Sequence, residues 1–274
     1  MAGLLAAALA GLLALTGCGS STQVDLLQQI KDSGQLSIGT SNDPPWSAVT
    51  NGQATGIIPD LLREFLRRES INAKIVSTPM PFDSLIPSLN TKRIDLIGDA
   101  MYATPARAQQ VAFTDILFYN TAALVVLKGN PLGLTKLEDL CGRVGATYKG
   151  TTYIDDLNAA SAKCPPGQPI TVKTYDTAYQ VMQDVSTGRV NGGFLDSSLA
   201  SLAISQNPSL AIEMSAGYQP PNKAASDNAL AVRKGNDAFL AEFNRVYGQM
   251  KADGTAKAIF EKNGLAPSDS WLNL

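Results

Sequence analysis

Arg107 closes the run Thr104-Pro105-Ala106-Arg107. Threonine suits a helix N-cap and proline the first helical position, so this arginine falls in a first helical turn. A guanidinium there offers a planar fork of donors that grips a carboxylate at two points. Read alone, the same spacing equally describes a solvated first-turn arginine. Asp196 follows the apolar run 192–195 and opens a helix. It is an N-cap by type and a candidate partner for a cation. Thr151 and Thr152 follow Gly150 at another helix mouth, where hydroxyls and the positive helix end suit an anion. A simple cap is the plainer reading of that pair. The chemistry on offer at Arg107 is capture of an anionic group such as a carboxylate. Bond-making is disfavoured, because the sequence holds no histidine. That removes the commonest general base and the commonest metal ligand together. No cofactor, metal site or catalytic residue is expected.

These residues need elements to position them. Residues 24–33 read as a helix stopped by Gly34, and 35–40 alternate as a strand. Asn42-Asp43-Pro44-Pro45 forces a turn. Helices follow at 60–69, with Pro59 at the front, and at 82–90; strands follow at 74–77 and 94–98. After a long apolar strand at 122–127 the alternation resumes: strands at 143–146, 170–174 and 192–195, helices at 151–162, 177–186 and 197–205. A strand at 228–233 and a helical stretch over 238–262, broken near Gly254, return to the first unit. Short strands alternating with helices of about ten residues indicate an α/β fold with mostly parallel sheets. Ligands in such folds sit beyond the C-terminal ends of strands. The candidate contacts are therefore residues 41–46, 78–82, 99–107, 147–152 and 196–198.

With 274 residues, 22 Lys+Arg and 24 Asp+Glu, the chain is large enough for a real core and nearly neutral. No basic block suggests nucleic acid. Residues 2–15 are almost entirely Ala, Leu and Gly. As a helix they reach about 21 Å, short of the ~30 Å hydrocarbon core, so they read as an export signal over 1–17. Leu15-Thr16-Gly17-Cys18 resembles the lipobox of bacterial lipoproteins, whose cysteine carries lipid. No Lys or Arg precedes the apolar run, which leaves a start upstream of Met1 open. The expected location is outside the cytoplasm, anchored by lipid at Cys18 to the outer face of the membrane. Residues 19–24 form the tether. An exported chain meets an oxidising compartment, so the remaining pair, Cys141 and Cys164, favours a disulfide over two free thiols.

Ten short motifs in order resemble the periplasmic amino-acid-binding proteins of ABC importers (extracellular solute-binding proteins, family 3). They span about residues 36–265. In the first half they are Pro44-Pro45-Trp46, Gly56-x3-Asp60-Leu61, Phe82-x2-Leu85-Ile86-Pro87-x-Leu89 and Arg93-Ile94-Asp95. Thr104-Pro105-x-Arg107 follows, leading to Val111-x-Phe113-Thr114. In the second half they are Leu137-Glu138-Asp139-Leu140, Gly150-Thr151-Thr152 and Gly188-Arg189-Val190-Asn191 leading to Asp196. The last two are Ala231-Val232-Arg233-Lys234-Gly235 and Lys251-Ala252-Asp253-Gly254-Thr255.

The resemblance implies a two-lobed type II periplasmic-binding-protein fold joined by two hinge strands, near 122–128 and 222–230. Lobe 1 would comprise 35–124 plus 226–274, and lobe 2 would comprise 125–225. Residues 18–34 carry the tether and first helix. It implies that Arg107 holds a ligand α-carboxylate and Asp196 its ammonium, with Trp46 and Phe82 walling the ligand. Asp43 stands where many members place an aromatic ring, and an anion there suggests a second positive group on the ligand. Asp99 replaces a serine and Tyr102 a small hydroxyl residue; Ala100 lies between them. Lys149 either adds charge for an acidic group or is solvated. The expected function is hinged capture of a polar amino acid or related zwitterion by a monomer that delivers it to an ABC permease. The spacing Asp43-x2-Trp46 with Met101-Tyr102-x-Thr104-Pro105-x-Arg107 and Lys128-Gly129-Asn130-Pro131 is also similar to ectoine-binding members. Rival readings are a ligand-sensing module and, on the same fold, a dehydratase acting on cyclic amino-acid precursors.

Overall fold

The computed structural model describes residues 24–219 and 227–265. The apolar leader, Cys18 and most of the tether lie outside the described residues, as do 222–226 of the second expected hinge. The first helix, α1 (Leu26–Ser33), is capped by Asp25, whose side chain accepts from the Leu27 N–H. Gly34 ends it at φ 64°, a left-handed conformation that costs glycine least.

The first half then runs β1 (Gln35–Thr40), a hairpin of β2 (Ala48–Thr50) and β3 (Gln53–Thr55), α2 (Ile57–Arg68) and β4 (Lys74–Pro79). A 3₁₀ turn at Phe82–Ser84 leads into α3 (Leu85–Asn90), followed by β5 (Leu96–Tyr102), α4 (Pro105–Ala108), β6 (Ala112–Phe113) and β7 (Phe118–Tyr119). The second half contains β8 (Ala122–Leu127), β9 (Val144–Tyr148), α5 (Tyr153–Ser161), β10 (Thr171–Tyr175), α6 (Ala178–Ser186), β11 (Gly192–Asp196), α7 (Ser197–Gln206) and β12 (Ile212–Met214). The chain returns through β13 (Asp227–Val232), α8 (Asp237–Ala252) and α9 (Thr255–Lys262).

The result is a two-lobed α/β fold. One sheet has the order β4-β1-β5-β13-β6, with β7 also on β13; the other has the order β10-β9-β11-β8-β12. Both are mixed. β4, β1 and β5 run parallel, as do β10, β9 and β11, and each set is completed by antiparallel strands. The parallel strands carry the crossover helices, which fixes where their C-terminal ends point. Alternation does the sorting: Leu36 and Ile38 are fully buried in β1, and Leu61, Leu62, Phe65 and Leu66 bury one face of α2. Phe65 meets Phe239 and Phe243 of α8 edge-on and tilted, which ties the returning helix to the first sheet.

Several expectations differ from the structure. β5 does not stop at residue 98 but runs to Tyr102, so Asp99, Ala100 and Tyr102 lie in a strand rather than in a loop. α2 starts at Ile57, which makes Pro59 its third residue. The hairpin over 48–55 and the short strands β6, β7 and β12 are additional to the expected elements. The chain crosses between sheets at Asn120–Thr121, between β7 and β8. The expected hinge segment 122–128 coincides with β8, an inner strand of the second sheet, and the expected boundary after residue 124 falls inside that strand. Cys141 and Cys164 form a disulfide with Cα atoms 5.5 Å apart. Closing that loop stabilises the second lobe by about 3 kcal/mol.

Candidate functional site

One cavity between the two sheets gathers side chains from both. Asp43, Trp46, Phe82, Asp99, Ala100, Tyr102 and Arg107 come from the first lobe; Tyr148, Thr151, Thr152, Tyr153, Asp196 and Leu199 come from the second. The space left among them is about 20 Å³, room for roughly one water. The lobes therefore lie closed on one another.

Arg107 is placed as its capping residues require. Thr104 Oγ1 accepts from the Arg107 N–H at 3.3 Å, and Pro105 begins the turn. The guanidinium is buried and lies 5.3 Å from the centre of the Phe82 ring. Nη1 donates to the Tyr102 carbonyl at 2.9 Å, and Nη2 reaches across to the Gly150 carbonyl of the second lobe at 3.0 Å. Among the described residues no carboxylate lies within ion-pair distance of it. Burial pulls its pKa down, because a cation without a counter-charge is costly away from water. Two neutral carbonyls orient this fork and leave its charge unmatched.

Asp196 is both an N-cap and a cavity residue. One oxygen accepts from the Leu199 N–H at 2.8 Å, which starts α7. The other accepts from Trp46 Nε1 at 3.1 Å and from Asn120 Nδ2. Burial pushes its carboxyl up to about 7, and Asp99 adds to the rise against the hydrogen bonds that lower it. Asp43 and Asp99 form a second acidic unit. Ser41 Oγ lies 2.7 Å from Asp43 Oδ2 and 2.6 Å from Asp99 Oδ2. A hydroxyl has one proton to give, so it serves both carboxyls only when one of them is itself protonated. Burial pushes Asp99 up to about 6. Burial, then the charge of Asp99, pushes Asp43 well above the carboxylate range, with Asp196 adding to it. Three buried carboxyls and one guanidinium thus line the same cavity.

The aromatic side chains divide their roles differently from expectation. Trp46 stacks its face on Phe118 at 4.1 Å and presents only its N–H to Asp196. One ring face is thus taken up by the core, while Trp46 still lines the cavity. Phe82 supports Arg107 and meets Tyr148 edge-on. Tyr102 closes the cavity from the first lobe, its hydroxyl 2.9 Å from that of Tyr153 and 3.0 Å from the Asn120 carbonyl. Thr151 Oγ1 donates to the Tyr148 carbonyl at 2.8 Å, while Thr152 is the N-cap residue of α5 without a side-chain cap bond. Lys149 is corrected: it does not line the cavity. It pairs with Asp176 at 2.7 Å, and both side chains are about half exposed.

Sequence reasoning missed Ser41, Asn120, Tyr148, Tyr153 and Leu199. Ser41 and Tyr148 fall inside stretches that the strand-end rule marks, so their types could have selected them. Asn120 carries no such signal; it matters because the lobe crossing places it beside Asp196.

Residues 36–266 match the family described as bacterial extracellular solute-binding proteins, family 3. The chain is 30% identical to the ABC transporter arginine-binding protein 1 of Escherichia coli K12, over 84% of this chain and 86% of that protein. It is 29% identical to the histidine-binding periplasmic protein of the same strain, over 83% and 86%. A solved ancestral arginine-binding protein, bound to arginine, superposes with a TM-score of 0.75 at 29% identity, covering 85% of this chain and 99% of that one. A matching family over most of the chain, and a two-lobed α/β fold with a polar cavity lined from both lobes, agree: the protein belongs to the bacterial extracellular solute-binding proteins, family 3.

Proposed function

We propose that this chain is the extracytoplasmic capture subunit of an ABC importer and that its cargo is a basic amino acid. The observation that carries the reading is the charge inventory of the cavity: Arg107 against Asp43, Asp99 and Asp196. A neutral zwitterion brings one carboxylate for Arg107 and one ammonium for Asp196, and it leaves the Asp43–Asp99 pair unmatched. A second cation on the ligand matches that pair. An ectoine-type zwitterion, with a single delocalised cation, does not. The arginine- and histidine-binding relatives point the same way.

In this account the open form exposes the crevice. The ligand carboxylate docks on Arg107, where the Thr152 hydroxyl and the positive end of α5 also suit it. The ammonium recruits Asp196, which draws the second lobe inward about the crossing at 120–121. The closed surface is what the permease reads. The lipobox-like Leu15-Thr16-Gly17-Cys18 supports a lipid anchor that keeps the subunit near that permease. The protein binds and releases; its tyrosines are held neutral by burial, and no histidine exists to serve as base.

A thermal-shift comparison tests the cargo. L-Arginine, L-lysine, L-ornithine and L-histidine are expected to raise the melting temperature more than L-glutamine or ectoine at equal concentration. Asp43→Asn is expected to erase that preference. If glutamine stabilises the wild type as strongly as arginine does, the cargo assignment is wrong.

Closure itself depends on Gly150. Its φ is +78°, and a Cβ there would sit 2.7 Å from Asp83 Cα, a backbone atom of the opposite lobe. Gly150→Ala is expected to lower the stability of the free protein by only about 1–2 kcal/mol. The clash exists only when the lobes meet, so ligand affinity should fall at least roughly tenfold further. Calorimetry alongside denaturant unfolding separates the two effects.

A further inference from the structure

A second cavity lies on the far side of Asp43. Its volume is about 450 Å³, against about 20 Å³ among the ligand-facing groups. Asp43 and Leu199 line both, so they form a shared wall. Asp43 itself is only 7% exposed. The second cavity is also bounded by both lobes: Asn42 on the first, and Met182 of α6 with Leu202, Ala203 and Gln206 of α7 on the second. It therefore forms and opens with the same lobe motion as the primary site. Tyr179, 48% exposed, stands at its rim. Asp43 is the one charged residue among its lining.

We propose that this cavity is a distal subsite, so that the chain accepts basic amino acids whose side-chain nitrogen carries a neutral substituent. The inference rests on the basic-amino-acid reading. The α-carboxylate and α-ammonium are held by Arg107 and Asp196, and the distal cation ends at Asp43. Anything attached beyond that cation passes the shared wall and enters the second cavity. Because the lining beyond Asp43 is neutral, it offers no partner for a further charge. Met182, Leu202 and Ala203 suit an alkyl group, and Asn42 and Gln206 suit a polar end. A volume of this size lies within the ~300–1,000 Å³ common for ligand pockets. A cavity so placed sets an upper limit on ligand length that lies beyond arginine.

The test uses calorimetry with L-arginine and Nω-propyl-L-arginine, which keeps the guanidinium charge and adds a short alkyl tail. The wild type is expected to bind the two within about threefold of one another. Gln206 is exposed at the end of α7, so Gln206→Trp fills the cavity from its rim without disturbing the core. That variant is expected to lose at least about tenfold in affinity for the propyl compound while holding arginine unchanged. Ala203→Phe, which fills the cavity from the next turn inward, is expected to repeat the pattern. Rejection of propyl-arginine by the wild type by more than about thirtyfold overturns the proposal. So does an equal shift of both ligands in the variants, or no shift of either. Failure of arginine itself to bind overturns the functional reading beneath it, and the subsite with it.

Discussion

Arg107→Ala is expected to abolish ligand binding while leaving the free protein close to its normal stability. The asymmetry follows from what the guanidinium touches. Its internal partners are two backbone carbonyls and the face of Phe82, all neutral. Losing two such hydrogen bonds costs about 1 kcal/mol each, and relief of a buried, unmatched cation offsets part of that. The ligand loses far more. Truncating one member of a buried charge pair costs roughly 2–5 kcal/mol, or about thirtyfold to several thousandfold in affinity. The loss lies at the upper end here, because the Tyr102 carbonyl, on the same lobe, orients the fork before the ligand arrives. Arg107→Lys keeps the charge but replaces a planar fork with a point donor, so it should recover only part of the loss. Thermal shift with and without millimolar L-arginine, beside urea unfolding of both variants, reads the two quantities separately. A variant that melts well below wild type without ligand would assign Arg107 a structural role instead.

The second large effect is on pH. Affinity for L-arginine is expected to rise from about pH 5 to about pH 8, gaining up to about tenfold per pH unit for each proton that binding displaces. The groups facing the cavity are Asp43, Asp99, Asp196, Arg107, Tyr102, Tyr148 and Tyr153. Burial holds the tyrosines neutral by raising them. It lowers Arg107, but from a starting value so high that the guanidinium stays charged. Asp196 at about 7 and Asp99 at about 6 titrate inside the window, with Asp43 raised beside them. A cationic ligand pairs with the ionised form, so binding expels protons and weakens as pH falls through these values. The stability of the free protein runs the other way. Carboxyls whose pKa is raised on folding stabilise the fold at low pH, and that contribution is lost as pH climbs from the ordinary 3.8 towards about 7. The free melting temperature should therefore drop over the interval in which arginine affinity climbs. The chain has no histidine, so a transition between pH 6 and 7 has no other side chain to claim it. A flat affinity profile across that range would mean that the three carboxyls do not meet the ligand's cations.

Much of this site was legible because backbone rules place it. Thr104-Pro105 fixes Arg107 in a first turn, and the run into Asp196 fixes a strand end and a helix cap, whatever the ligand. Alternation and capping found the longer helices and the longer strands of both sheets but not the short edge strands β6, β7 and β12, and cysteine arithmetic found the Cys141–Cys164 bridge. What stayed hidden depends on contacts between distant segments. β5 continues through Asp99 because Ser41, on the neighbouring strand's exit, takes up its carboxyl by both its N–H and its hydroxyl. No local pattern announces a buried aspartate in a strand. The stacking of Trp46 on Phe118 carries no local signal, because the two residues lie far apart along the chain. Lys149 looked available until the pairing of β9 with β10 brought Asp176 alongside. The second cavity behind Asp43 was equally invisible, being walled by a turn of one lobe and two helices of the other.

The most direct test of the account compares L-arginine with L-citrulline by calorimetry near pH 7.5. The two share length, shape and α-amino-acid head, and differ in whether the side chain ends in a cation or a neutral urea. If a surplus of buried carboxylate selects the cargo, arginine binds at least about a hundredfold more tightly, and Asp43→Asn narrows the gap. Equal affinities for the two would contradict the claim that this crevice recognises its guest by a second positive charge.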